Sequence, residues 1–118
     1  MLAQRNRFHG HGSLRFLYKN GQAERSRTIT LKHIENPRRK DTRVAVVISK
    51  KVLKSAVLRN RVRRRVYEII RQDLPQLDRP YDLVFLIFSG EVLTMPHEEL
   101  LAQMKHLTSA AGIYKNQR

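Results

Sequence analysis

Two apolar runs, Val44-Ala45-Val46-Val47-Ile48 and Tyr81 to Phe88, flank a stretch of helical period from Ser55 to Leu74. No other feature constrains the fold as tightly. Both runs are short and rich in β-branched or aromatic residues, so both read as central strands of a sheet. Pro75 ends the helix between them. Upstream, Leu14, Phe16, Leu17 and Tyr18 suggest a short helix from Ser13 to Asn20, with Ser13 as N-cap and Asn20-Gly21 as stop. Residues 27–34 alternate, with Ile29 and Leu31 on one side and Thr28, Thr30 and Lys32 on the other, which predicts a half-exposed strand. Asn36 to Asp41 is a polar loop, and a short extra strand fits near residues 22–25. Ser89-Gly90 breaks the later strand, and Pro96 opens a last helix with Leu100, Leu101, Met104 and Leu107 on one face. The order is α-β-β-α-β-α, with the extra strand making α-β-β-β-α-β-α. This is an α+β two-layer sandwich around a central sheet. No repeat or linker divides it, so residues 1–118 are expected to form one domain with a flexible basic tail at 1–12.

Charge narrows the function. Lys and Arg number 24 against 10 Asp and Glu, a formal +14. Residues 1–49 carry net +8 and residues 50–71 another +8, whereas residues 72–118 carry −2. Clustered cations repel one another unless a polyanion neutralises them, so nucleic acid is the leading partner class. The chain has no cysteine, which excludes disulfides, cysteine-bound zinc and a thiol nucleophile. The longest apolar run, Leu83 to Phe88, is too short to span a membrane. The start turns basic at once and does not resemble a secretory signal, so a cytoplasmic location is expected.

The segment from Arg59 to Arg71 is the most informative. At about 100° per residue, Val62, Val66, Ile69 and Ile70 fall on one stripe, which faces the sheet. Arg63, Tyr67, Asn60, Arg71 and Arg64 fall on the other side; Arg59 sits at the border, and Arg61 and Arg65 lie on the far flank. The exposed types suit RNA. Guanidinium groups bind phosphate bidentately and stack on bases. Asn60 can bond a base edge or a 2′-hydroxyl, and Tyr67 can stack. Lys50, Lys51 and Lys54 precede the helix N-terminus, whose free N–H groups also attract phosphate. A membrane-surface helix is a poor alternative, because two strands bracket this helix and its apolar face is already used.

Ser49-Lys50-Lys51-Val52 followed by Ala56-Val57-Leu58-Arg59-Asn60-Arg61-Val62-Arg63-Arg64 resembles the bacterial ribonuclease P protein subunit. Arg5-Asn6-Arg7, Tyr18-Lys19-Asn20-Gly21 and Asp82-Leu83-Val84 fit the same pattern, so the resemblance covers nearly the whole chain. It implies a left-handed β-α-β crossover around the arginine helix. It also implies a ribonucleoprotein role: the protein joins a catalytic RNA that holds magnesium ions and removes the 5′ leader of precursor tRNA. On this resemblance the RNA face comprises Lys50, Lys51, Arg59, Asn60, Arg61, Arg63 and Arg64, beside which Lys54, Tyr67 and Arg71 stand on their chemistry. A leader cleft would take Leu14, Tyr18, Thr30 and Lys32. The chain departs from the family in three places. Val52-Leu53-Lys54-Ser55 lacks a glycine and has one extra residue, Tyr67 replaces a frequent arginine, and Leu14 replaces an aromatic. Phe16 could stack instead if the helix were rotated, but its spacing reads as core.

Protein-borne nuclease chemistry needs clustered carboxylates or a histidine pair. Glu24, Glu35, Asp41 and Glu68 are dispersed, each beside a cation. Asp73, Asp78, Glu98 and Glu99 read as helix-end or surface charges. His9-Gly10-His11-Gly12 has two imidazoles but no third ligand nearby and reads as tail. No catalytic or metal residue is therefore assigned, and no cofactor is expected on the protein. The expected partners are the catalytic RNA and precursor tRNA, with no membrane and no obligate protein partner. A ribosomal or translational RNA-binding module of similar fold is the alternative. The pairing of Ser49-Lys50-Lys51 with Arg59-Asn60-Arg61 separates the two.

Overall fold

The computed structural model describes residues 4–8 and 12–115, with the backbone alone at residues 4 and 13. Its elements run α1 (Gly12–Asn20), β1 (Gln22–Arg25), β2 (Ile29–Glu35), β3 (Arg43–Ile48), α2 (Ala56–Asp73), β4 (Tyr81–Ile87) and α3 (His97–Ala111). The sheet order is β1-β2-β4-β3. β2 pairs antiparallel with β1 and β4, and β3 pairs parallel with β4. A parallel pair needs a long return connection, and α2 supplies it.

Register explains the core. Ile29, Ile87 and Ile48 align across three strands, then Leu31, Phe85 and Val46, then His33, Leu83 and Val44. These rows face one way because side chains alternate along a strand. Val62, Val66, Ile69 and Ile70 of α2 and Leu100, Met104 and Leu107 of α3 cover them, all buried. The stripe read from the helical wheel is thus the buried stripe. Ser55 caps α2 by accepting from the Leu58 N–H at 3.3 Å. Gly112 ends α3 in the left-handed region at φ 69°, where a side chain would be strained.

The opposite face of the sheet carries Thr30, Lys32 and Ile34, then Leu86, Val84 and Asp82, then Val47, Ala45 and Arg43. α1 packs there through Leu17, which is fully buried, as is Val84. The junction of α1 with β1 is tight. A Cβ on Gly21 would stand 2.7 Å from the Leu17 carbonyl oxygen and 3.0 Å from that of His33. Only glycine allows so close an approach.

Several expectations need correction. Val44–Ile48 forms an edge strand, not a central one, because β4 takes the inner place. Phe16 is 58% exposed and lies outside the core, since Leu17 is the α1 residue turned to the sheet. Thr28 is buried; the chain bends before β2, and its hydroxyl donates to Gln103 Oε1 at 2.6 Å. Asp73 stands at the end of α2, as expected of a helix-end charge, but it is buried and accepts from Lys105 at 2.7 Å and Tyr114 at 2.9 Å. Part of the expected tail is anchored: Asn6 Nδ2 donates to the Thr42 carbonyl at 2.8 Å, and Arg7 bridges Val44. His9, Gly10 and His11 fall outside the described residues.

Candidate RNA-binding interface

α2 divides its arginines by position. Val62 and Val66 point inward, which turns Asn60, Arg63, Arg64 and Tyr67 outward. With Glu68 these four line an open hollow of about 500 Å³. Asn60 Oδ1 accepts from Arg63 Nη1 at 2.8 Å, which pre-orients the guanidinium along the helix. Tyr67 is half-buried against the edge of the core, so its ring is held while one side stays open. Arg71 donates to Glu68 at 3.0 Å, and this bond holds the Glu68 carboxyl below its ordinary range. Arg61, Arg64, Lys50, Lys51 and Lys54 are exposed and make no hydrogen bond or ion pair with a described residue.

Two arginines are spent on the fold. Arg65 lies on the far flank, as its helical angle predicts. Its guanidinium donates to the carbonyls of Val92 at 2.7 Å and Met95 at 2.7 Å, fastening the loop before α3. Arg59 donates to the carbonyls of Leu53 at 2.9 Å and Lys54 at 2.8 Å. Those carbonyls belong to the unusual Leu53-Lys54-Ser55 entry. The chain reaches the helix through a turn in which the Val52 and Leu53 N–H groups both donate to the Ser49 carbonyl, while Arg59 ties it from the helix. Arg59 can still meet phosphate with its remaining donors, but one part of it is occupied.

The second expected site is the sheet face beside α1. Tyr18 and Lys32 do meet: the Lys32 ammonium lies 5.7 Å from the Tyr18 ring centroid and donates to the Tyr18 carbonyl at 3.3 Å. Burial raises the Tyr18 phenol pKa, so the ring stays neutral at physiological pH. Thr30 and Leu14 are half-buried. The same face also carries Val47, exposed, and Leu86, half-buried, with the exposed Phe88 just beyond β4. Sequence reasoning missed these three. The signal was present as alternation within the two apolar runs, but it needed the register to show which alternate residues face helices.

One ion pair underlies this face. Arg43 and Asp82 meet bidentately at 2.9 and 2.7 Å, both buried, with the Phe8 ring centroid 4.7 Å from the guanidinium. Asn36 also donates to Asp82 at 3.0 Å. Among the described residues, no three His, Asp or Glu side chains converge as metal ligands. The dispersed carboxylates are instead tied to cations or histidine: Glu24 to His33, Glu35 to Arg79 and Asp41 to Arg5. No helix among the described residues is long and apolar enough to cross a membrane.

Comparison with known proteins gives one answer. The Ribonuclease P family model matches residues 2–112. A ribonuclease P protein component from Synechococcus sp. is 34% identical over 116 residues, spanning 96% of this chain and 86% of the relative. One from Chloroflexus aggregans is 37% identical over 106 residues, spanning 90% and 77%. The Staphylococcus aureus RNase P protein shares the fold with a TM-score of 0.81 at 19% identity, covering 93% of this chain and 98% of that one. A family model that spans nearly the whole chain, relatives above 30% identity and a shared fold agree, and the chain belongs to the ribonuclease P protein component family.

Proposed function

We propose that this chain binds the catalytic RNA of ribonuclease P and the 5′ leader of precursor tRNA, and so assists 5′ maturation of tRNA. The observation that carries the reading is the hollow on α2, where Asn60, Arg63, Arg64 and Tyr67 converge on a helix whose other side is buried. Arginine forks, an amide and a ring together address phosphate, 2′-hydroxyl and base. Lys50, Lys51, Lys54 and Arg61 extend the charge toward the start of the helix, and Arg71 extends it toward the end. The leader would lie across the opposite face of the sheet, over Tyr18, Thr30 and Lys32. Its charge repels that of the RNA body, and a basic, partly aromatic trough offsets that repulsion.

Bond cleavage on this reading takes place on the RNA, with magnesium ions held there. The protein binds, orients and neutralises; it moves no proton in the reaction. It needs no protein partner and works in the cytoplasm. The test uses precursor tRNA and a bacterial ribonuclease P RNA at low magnesium. The protein alone should be inert, the RNA alone slow, and the two together fast. Robust cleavage by nuclease-free protein without RNA would overturn this account.

A further inference from the structure

We infer that Phe88 is a second base-stacking platform for the precursor leader, taking over the role that Leu14 cannot fill. The inference rests on the leader reading above and adds a residue to it. The ladder between β2 and β4 runs on past Ile87, because the Phe88 N–H donates to the Thr28 carbonyl at 3.1 Å. Ile87 faces the core, so alternation sends the Phe88 side chain to the face that bears Lys32 and Val84. There it is 51% exposed. Phe88 is not a lone exposed ring: it continues the face on which Val47 is exposed and Leu86 half-buried, so the three form an apolar patch.

Its surroundings identify the occupant. Val84 pairs with Lys32, and Phe88 lies four residues further along the strand, about 13 Å at the usual rise. That is the length of about four stacked nucleotides. Between the two ends lies Leu86, flanked by Thr30 and Val47. Ile48 pairs with Ile87, so the exposed cations Lys50 and Lys51 leave β3 beside Phe88. The trough thus has an aromatic at each end, a short apolar floor, and ammonium groups at both ends. A single RNA strand fits it: bases stack on rings whatever their sequence, and phosphates pair with lysines. Leu14 offers area without a π-face, and the exposed Phe16 opens toward Ile34 and Asp82 at the far end of this face, so without Phe88 no ring would hold the end of the strand beyond Leu86.

The test uses holoenzyme assembled from the full chain and a ribonuclease P RNA. Precursor tRNA with 2-aminopurine at successive leader positions, and mature tRNA, serve as ligands. Phe88→Leu keeps the apolar area and removes the ring; Phe88→Tyr keeps the ring. Phe88→Leu should weaken precursor binding about fivefold or more and abolish fluorescence quenching at one leader position. That position should lie within about four nucleotides of the one lost with Tyr18→Ala. Phe88→Tyr should behave like the parent, and mature tRNA should bind all variants equally. If Phe88→Leu leaves precursor affinity and quenching unchanged while Tyr18→Ala alters both, the Phe88 inference fails and the leader reading stands. If the parent holoenzyme binds precursor no better than mature tRNA, the leader reading itself fails. Equal loss for precursor and mature tRNA would assign Phe88 to another RNA contact and overturn the inference.

Discussion

Arg64 and Arg65 are neighbours in sequence with opposite tasks, and the contrast yields a sharp double prediction. Arg65→Ala removes a half-buried guanidinium that donates at 2.7 Å to each of two loop carbonyls, those of Val92 and Met95. A hydrogen bond to a charged group contributes about 1.5–3 kcal/mol. Water can reach these half-buried positions, so the pair together should contribute about 2–3 kcal/mol rather than the full sum. For 118 residues the unfolding entropy near the midpoint is about 250 cal/mol/K, so Tm should fall by about 8–12 °C. RNA affinity, measured well below that Tm, should hardly change. Arg64→Ala removes an exposed side chain with no intramolecular bond to a described residue. Its stability change should stay within about 0.5 kcal/mol. Affinity for the catalytic RNA should fall, and the slope of log affinity against log salt should shrink by about 0.7–0.9, one phosphate contact. Scanning calorimetry of both proteins and filter binding from 50 to 300 mM salt, roughly the range where such slopes are measurable, give the four numbers. Equal loss of RNA affinity from both substitutions would refute the assignment of faces on α2. So would an unchanged Tm for Arg65→Ala.

Three further outcomes follow from the same geometry. Asp82→Ala leaves the buried Arg43 guanidinium unpaired and should cost about 3–5 kcal/mol in urea unfolding, while Arg43→Met with Asp82→Leu should recover most of it; equal losses in the single and the double variant would show that the pair is not the cause. Tyr18→Ala should weaken holoenzyme binding of precursor but not mature tRNA by about tenfold, with little salt dependence, and Leu14→Phe should strengthen it; a steep salt dependence would point to phosphate contact rather than stacking. The Lys105 pKa is raised chiefly by its hydrogen bond to Asp73, and burial is the main cause raising those of Tyr81 and Tyr114. Because the folded state holds these protons more tightly, stability should be full below pH about 10 and fall above it as the unfolded chain ionises first. Unfolding free energies rising through that range would contradict the cluster.

What the sequence disclosed was local, and what it hid was mostly long-range. The stripe Val62, Val66, Ile69 and Ile70 is buried as its period demands, and Ile29 and Leu31 face the core as alternation demands. A period needs only neighbours, so it survives in one dimension. The error on Val44–Ile48 has a different origin. Val44, Val46 and Ile48 fill the core, while Val47 is exposed on the opposite face, and nothing in the letters separates a valine turned to the core from one turned to solvent. Phe16 was misread for the same reason. Partners distant in sequence stay hidden as well: Arg43 with Asp82 and Lys105 with Asp73 became visible only when strand pairing and helix packing brought them together. Arg59 shows where local reading ends. Its angle put it at the border of the RNA face, but only the folded turn shows its guanidinium bent back onto Leu53 and Lys54. The carbonyls of Leu53 and Lys54 lie ahead of the Ser55 N-cap, where the helix offers them no N–H, and Arg59 satisfies both, giving part of its charge to the fold while Arg61 and Arg64 stay exposed.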